Sequence, residues 1–188
     1  MKKTKGVLVL GLAVLFVLAL SSMVGASGYN WWCCDLGDEA EIVQYGVLND
    51  ATITQTGKLE KNHPWYPGFD PCLPMGCANG GNYADVFQMG YRNKATINQI
   101  GALNFVSVDS YGYLNEATVM QNGKALSAYI GQGGFLNRAR VTQSGAYNFA
   151  MVGQVGTHNK AAVTQNAVYD YAAVLQMGHL NNANIVQN

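Results

Sequence analysis

From residue 93 the chain reads Asn93-Lys94-Ala95-Thr96-Ile97-Asn98-Gln99-Ile100-Gly101. One set of alternate positions carries Asn, Ala, Ile and Gln, and the other carries residues of changing polarity. Alternation over seven residues is the signature of a β-strand with one buried face, and a following Gly permits a turn. The order N-x-A-x-[VI]-x-Q-x-G recurs at 49–57, 115–123, 137–145 and 159–167, the last with Ala167 for Gly. A final copy opens at Asn181 and runs to Gln187. Looser copies fill the intervals at 38–46, 82–90, 104–112, 126–134, 148–156 and 170–178. Strict and loose units alternate, so the repeat is 22 residues long and made of two unlike halves.

The glutamines confirm the period. They are Gln44, Gln55, Gln88, Gln99, Gln121, Gln132, Gln143, Gln154, Gln165, Gln176 and Gln187, and every number is a multiple of eleven. Ser110 stands in the same lattice. An eleven-residue period also suits a right-handed helical supercoil. Fixed residues at i, i+2, i+4 and i+6, the wealth of Val, Ile and Thr, and the closing Gly all favour strands instead.

Each unit therefore predicts one short strand and a turn, and two units predict one coil of a β-solenoid. The expected fold is all-β, with about six two-strand coils stacked at about 4.8 Å into two parallel sheets. Asn, Ala, Val/Ile and Gln face inward. Unpartnered buried amides cost roughly 1–3 kcal/mol each. Stacked in register, each carboxamide is expected to donate to one coil and accept from the other, the device of cross-β amide ladders. The eleven glutamines and Asn49, Asn93, Asn115, Asn137, Asn159 and Asn181 are the expected ladder. A one-residue slip would turn every one of them outward.

The ends of the chain are different. Lys2, Lys3 and Lys5, the apolar run 7–20 and the small residues Val24-Gly25-Ala26 read as a secretory signal peptide over 1–26. Residues 27–37 form a separate segment with Trp31, Trp32, Cys33 and Cys34. The solenoid is expected over 38–188, interrupted at 58–81 by a segment that holds all four Pro, Trp65, Cys72 and Cys77. The repeat keeps its phase across it, which predicts a loop that leaves the first coil and returns to start the second. The loop and the aromatic segment before the first coil are expected to cap that coil's edge. Export favours disulfides. Four cysteines allow three pairings; the expectation is two bridges tying Cys33 and Cys34 to Cys72 and Cys77, with the partner of each left open.

Charged residues make up only 12 % of the chain, with 11 basic and 11 acidic. Such a chain lacks the basic footprint of a nucleic-acid binder. No phosphate loop, paired-carboxylate motif or zinc signature is present, and His63, His158 and His179 have no fixed acidic or nucleophilic companions. No enzyme, cofactor or metal site is expected.

The 22-residue period with Gln88, Asn93 and Gln99, repeated as Gln132, Asn137 and Gln143 and in the later copies, resembles the curlin family, the repeat subunits of curli. The resemblance implies a secreted subunit of extracellular amyloid fibres at the bacterial cell surface, serving biofilm matrix and adhesion. Its implied partners are further copies of itself, other curlin-like subunits, an outer-membrane secretion machinery and surfaces or matrix polymers. Asn at the start of the loose half is more like the family's nucleator-type subunits. The segment 27–37 does not resemble the Gly/Asn-rich export segment of the main curli subunit.

Fibre growth is expected at the last strand, where Ala183, Ile185 and Gln187 repeat the strict pattern and would template an incoming unit. The alternative is a non-polymerising or accessory β-solenoid, acting as adhesin or nucleator. An ice-binding array is disfavoured, because Asn98, Met120, Arg140 and Ala162 break the Thr-x-Thr of Thr52 and Thr54. Outward aromatics at 83, 105, 149 and 171 share one slot with Ser127 as the gap, and Tyr91, Tyr113 and Phe135 share another. They serve either as stacking support or as a stripe for bundling and adhesion. Asp50, Lys94, Glu116 and Arg138 follow one another along the strict sheet.

Overall fold

The computed structural model describes residues 38–57 and 81–188. The expected signal segment, residues 27–37, all four cysteines and the interrupting segment apart from residue 81 lie outside the described residues. Twelve strands form two six-stranded sheets. The loose sheet contains β1 (Glu39–Val47), β3 (Tyr83–Tyr91), β5 (Phe105–Tyr113), β7 (Ser127–Phe135), β9 (Phe149–Thr157) and β11 (Tyr171–His179), in that order. The strict sheet contains β2 (Asp50–Gly57), β4 (Lys94–Ala102), β6 (Glu116–Lys124), β8 (Arg138–Ala146), β10 (Lys160–Gln165) and β12 (Asn182–Gln187). Every pairing is parallel, and the fold is the all-β solenoid of 22-residue coils that the repeat predicts.

Register follows the repeat without a slip: Ile97 pairs with Val119, Val119 with Val141, and Val163 with Ile185. Across the interrupting segment Gln44 pairs with Gln88 and Gln55 with Gln99, so the coil after the segment stacks directly on the first. The core lies between the sheets. Its two apolar rows are small and branched, Ala84–Ala172 with Val86–Val174 in one sheet and Ala95–Ala161 with Ile97–Val163 in the other. Ala51, Ile53, Ala183 and Ile185 in the end coils pack on it half-buried.

The turns combine two left-handed residues, and only one of them is Gly. Gly101 has φ +121° and Leu103, two residues on, has φ +59°. The same non-Gly slot holds Leu48, Arg92, Leu114, Ala125, Leu136, Tyr147, His158, Tyr169 and Leu180. A left-handed residue with a Cβ costs roughly 1–2 kcal/mol. Its N–H is bonded to the neighbouring coil, as where Leu114 N donates to Tyr91 O at 3.0 Å. The Asn that follows clasps the turn: Asn115 Nδ2 donates to Tyr111 O at 3.0 Å and to Gly134 O at 3.2 Å. The Gly is also forced by stacking, since a Cβ on Gly101 would stand 1.9 Å from Gly123 O.

Candidate functional site

Along the strict sheet the glutamine amides form one directional chain. Gln55 Nε2 donates to Gln99 Oε1 at 2.9 Å, Gln99 to Gln121 at 3.0 Å, Gln121 to Gln143 at 2.8 Å, Gln143 to Gln165 at 2.8 Å and Gln165 to Gln187 at 2.9 Å. The second proton of each Nε2 goes to a backbone carbonyl of the loose strand in the same coil, as from Gln121 to Phe105 O at 3.1 Å. Each interior carboxamide thus makes three hydrogen bonds, which offsets its burial. Among the described residues no buried side-chain polar atom lacks a partner.

The loose sheet repeats this with one weak rung. Gln132 donates to Gln154 at 3.0 Å and Gln154 to Gln176 at 2.8 Å, while Gln44 and Gln88 meet at 2.7 Å. At Ser110 the side chain is too short, and its Oγ stands 3.4 Å from Gln132 Oε1.

The asparagines work differently from the expected amide-to-amide ladder. Each Oδ1 accepts from the backbone N–H of the Asn one coil on, as from Asn115 N to Asn93 Oδ1 at 3.1 Å. The shorter side chain sits at the turn, where backbone groups are nearer than the next amide. In this row, among the described residues, only Asn137 to Asn115 at 3.2 Å and Asn181 to Asn159 at 3.0 Å add amide-to-amide contacts. The loose half has the same device, which sequence reasoning left off the ladder: Asn104 N donates to Asn82 Oδ1 at 3.2 Å and Asp170 N to Asn148 Oδ1 at 2.9 Å. Asp38 takes the role in the first coil, accepting from Asn82 N at 2.8 Å and Gly57 N at 2.7 Å. Their shared place in the loose units was the signal. Leu126, fully buried in that slot, cannot accept and breaks the series.

The two ends of the strict ladder are complementary. Gln187 Nε2 donates to Tyr171 O at 3.0 Å and has no further acceptor among the described residues. Gln55 Oε1, at the opposite end, has no donor there. Among the described residues Asn181 Oδ1 is likewise an unused acceptor at one end, and Asn49 N an unused donor at the other. Ala183, Ile185 and Gln187 line the outer strand β12, half-buried, and among the described strands of its sheet β12 pairs with β10 alone.

The outer faces differ. On the strict face, Asp50, Lys94, Glu116 and Arg138 stand in one row as expected. Among the described residues only Arg138 Nε and Glu116 Oε2 form an ion pair, at 2.8 Å; both are well exposed, so it contributes little. The loose face carries stacked rings. Tyr83 lies on Phe105 at 5.3 Å and Phe149 on Tyr171 at 5.2 Å. The gap at Ser127 is closed by Tyr129 from the adjacent row, 5.2 Å from Phe105 and 5.5 Å from Phe149. On the same face, paired with Phe87 and Gly131, lies Asp109, 8 % exposed. Burial, then the nearby Asp85 charge, pushes its carboxyl up to about 7. Burial and Glu41 raise Asp85 in the same way.

The two histidines among the described residues stand at one turn corner. His158 and His179 are exposed at one corner, their rings edge-on at 5.5 Å, and His179 Nδ1 bonds to Thr157 Oγ1. Among the described residues no group of three or more His, Cys, Asp or Glu could hold a metal ion.

A solenoid that stacks buried amides in register from coil to coil is a cross-β scaffold. The family model of the curlin associated repeat matches residues 81–112, 115–145 and 137–166. These repeats identify the chain as a member of the curlin family, a family of structural proteins that form extracellular fibres. The coils formed by β1 with β2 and by β11 with β12 carry the same register beyond the matched residues. No curated protein matches the chain.

Proposed function

We propose that this chain is a secreted structural subunit that polymerises end to end into curli-like amyloid fibres for biofilm matrix and surface adhesion. The first coil of each incoming copy, once the segments expected over its edge are displaced, settles on the last coil of the copy before it. One observation carries this reading: what the ladder lacks at β12 is what it offers at β2. Among the described residues Gln187 Nε2 is a spare donor and Gln55 Oε1 a spare acceptor, and Asn181 Oδ1 is a spare acceptor for Asn49 N. The join repeats the 22-residue step that already holds the coils together. Unpaired parallel edges of this kind template strand addition.

Export across the outer membrane, attachment to surfaces or matrix polymers and co-assembly with other curlin-like subunits belong to this reading by family likeness. The test is a thioflavin time course on purified protein from residue 27 onward, followed by electron microscopy. Filaments with a lag and seeded acceleration are expected. A chain that stays monomeric for days at high concentration would be a non-polymerising adhesin instead.

A further inference from the structure

At one corner of the solenoid the left-handed turn slot holds Leu103, Ala125, Tyr147 and Tyr169 in successive coils. Tyr147 has φ +57° and Tyr169 φ +64°. Bulky side chains seldom take this conformation, and an observed outlier is a place to ask about function. Both rings are open to solvent, Tyr147 at 50 % and Tyr169 at 74 % exposure. They lie one on the other, with centroids 5.0 Å apart and planes 8° from parallel. Turn packing alone does not call for a phenol, because Leu fills the left-handed slot at 48, 103, 114, 136 and 180.

The two tyrosines bracket the coil whose turn departs from the repeat. β10 has six residues where β4, β6 and β8 have nine, and Ala167 stands in the Gly slot that follows it. Backbone pairing to the coil before narrows here to the isolated bridge of Val168 with Ala146, in which Tyr169 N donates to Ala146 O at 3.1 Å. Among the described residues the other polar ties come from the Ser144 and Asn148 side chains. A covalent tie between the rings would close the coil on its neighbour at this weak point.

The remaining described tyrosines are placed otherwise. Tyr45 and Tyr111 meet Phe87, Tyr83 and Tyr129 meet Phe105, and Tyr171 meets Phe149, none of which carries a phenol. Tyr91 and Tyr113 do meet, but at 6.3 Å and tilted by 44°, and the Arg92 guanidinium lies 5.1 Å from the Tyr91 ring. Only the 147–169 pair combines contact, parallel planes and exposure of both rings.

We propose that Tyr147 and Tyr169 are an oxidative cross-linking site, joined as dityrosine by a one-electron oxidant of the peroxidase class with hydrogen peroxide as the final electron acceptor. Each phenol gives up one electron and its hydroxyl proton. The two phenoxyl radicals form one carbon–carbon bond between ring carbons ortho to oxygen. Each bonded carbon then loses its hydrogen as a proton, and each oxygen regains one. The net change is two ring hydrogens lost, while one peroxide is reduced to two waters. Neither residue belongs to a strand, so the link asks nothing of the amide ladder and does not rest on the proposed polymerisation. It closes a covalent loop through β9 and β10, and such a loop stabilises by restricting the unfolded chain.

The test treats dilute soluble chain from residue 27 onward, as a mixture of 15N-labelled and unlabelled copies, with hydrogen peroxide and a haem peroxidase. Tyr147 and Tyr169 fall in different tryptic peptides, 141–160 and 161–188. The expected main product joins these two peptides through Tyr147 and Tyr169, two hydrogens lighter than their sum, with both halves of one isotope. A pair already in contact reacts at high effective concentration, so total dityrosine fluorescence should fall about tenfold when the chain is treated in unfolding urea. It should fall as far in Tyr147→Phe, which keeps a ring in the stack. The linked chain, returned to buffer, should unfold at a higher urea concentration than untreated chain. A main product at Tyr91–Tyr113 or Tyr171, mixed-isotope pairs, or a yield unchanged by urea or by Tyr147→Phe overturns the proposal. A linked chain with an unchanged urea midpoint overturns its stabilising role.

Discussion

Gln121 Nε2 donates to Gln143 Oε1 at 2.8 Å, across 22 residues of sequence and one coil of the solenoid. It donates as well to Phe105 O and accepts from Gln99. Replacing it with Leu keeps the volume but strands an amide proton of Gln99, the Oε1 of Gln143 and the Phe105 carbonyl. With each unsatisfied buried group costing roughly 1–3 kcal/mol, Gln121→Leu should lose about 3 kcal/mol after relaxation. Ser110→Gln should go the other way, by about 1 kcal/mol, because it completes the loose ladder. Urea unfolding of soluble monomer measures both.

The turn glycines should tolerate nothing larger. In Gly101→Ala the Cβ would stand 1.9 Å from Gly123 O, on a backbone with φ +121°. A loss of at least about 2 kcal/mol is expected. Gly133→Ala, with its nearest neighbour at 3.8 Å, should change stability by less than about 1 kcal/mol. Comparing the two midpoints separates backbone need from mere composition.

Asp109 sets a pH dependence. Its folded carboxyl titrates at about 7, against the ordinary 3.8, chiefly through burial. Between those values the folded chain holds a proton that the unfolded chain has lost. Its contribution is therefore fully present at low pH, declines as pH rises from about 4, and is exhausted above about 7. The raised carboxyl of Asp85 acts with the same sign. Asp109→Asn should remove up to about 4 kcal/mol of this decline. Its stability gain over the parent chain should be larger at pH 8 than at pH 5; an equal gain at both would place the carboxylate in water.

Much of this was legible in the sequence, because the solenoid uses one rule per coil. Glutamines at every eleventh residue state the strand period, the coil length and the register together. What escaped depends on geometry between coils. Nothing about Leu114, Arg92 or Tyr147 marks a left-handed residue; the neighbouring coil's carbonyl and the following Asn hold it there. Tyr129 fills the gap at Ser127 from an adjacent row, which a slot-by-slot reading cannot see. Asp109 reads as a surface acid by alternation, yet it is only 8 % exposed in the fold. The asparagines take backbone groups of the turn as partners, which their spacing alone does not reveal.

Growth should be sensitive at β12. Ile185→Pro removes a ladder donor and fixes φ, and an interior strand of a fibre does not accept that. The variant should stop elongation by thioflavin while circular dichroism keeps the β signal of the remaining coils. Deleting residues 62–76 should leave elongation intact or speed it. Normal growth of Ile185→Pro together with arrest of the deletion would assign the active end to the first coil.

The central claim is that one copy continues the ladder of the next. An electron cryomicroscopy reconstruction of filaments grown from the purified chain tests it most directly. The account predicts an unbroken stack at about 4.8 Å per coil, in which Gln187 of one copy lies under Gln55 of the following copy in the parallel register seen within the chain. Filaments in which β12 meets β12, or in which the join falls elsewhere than between the last and first coils, would contradict it.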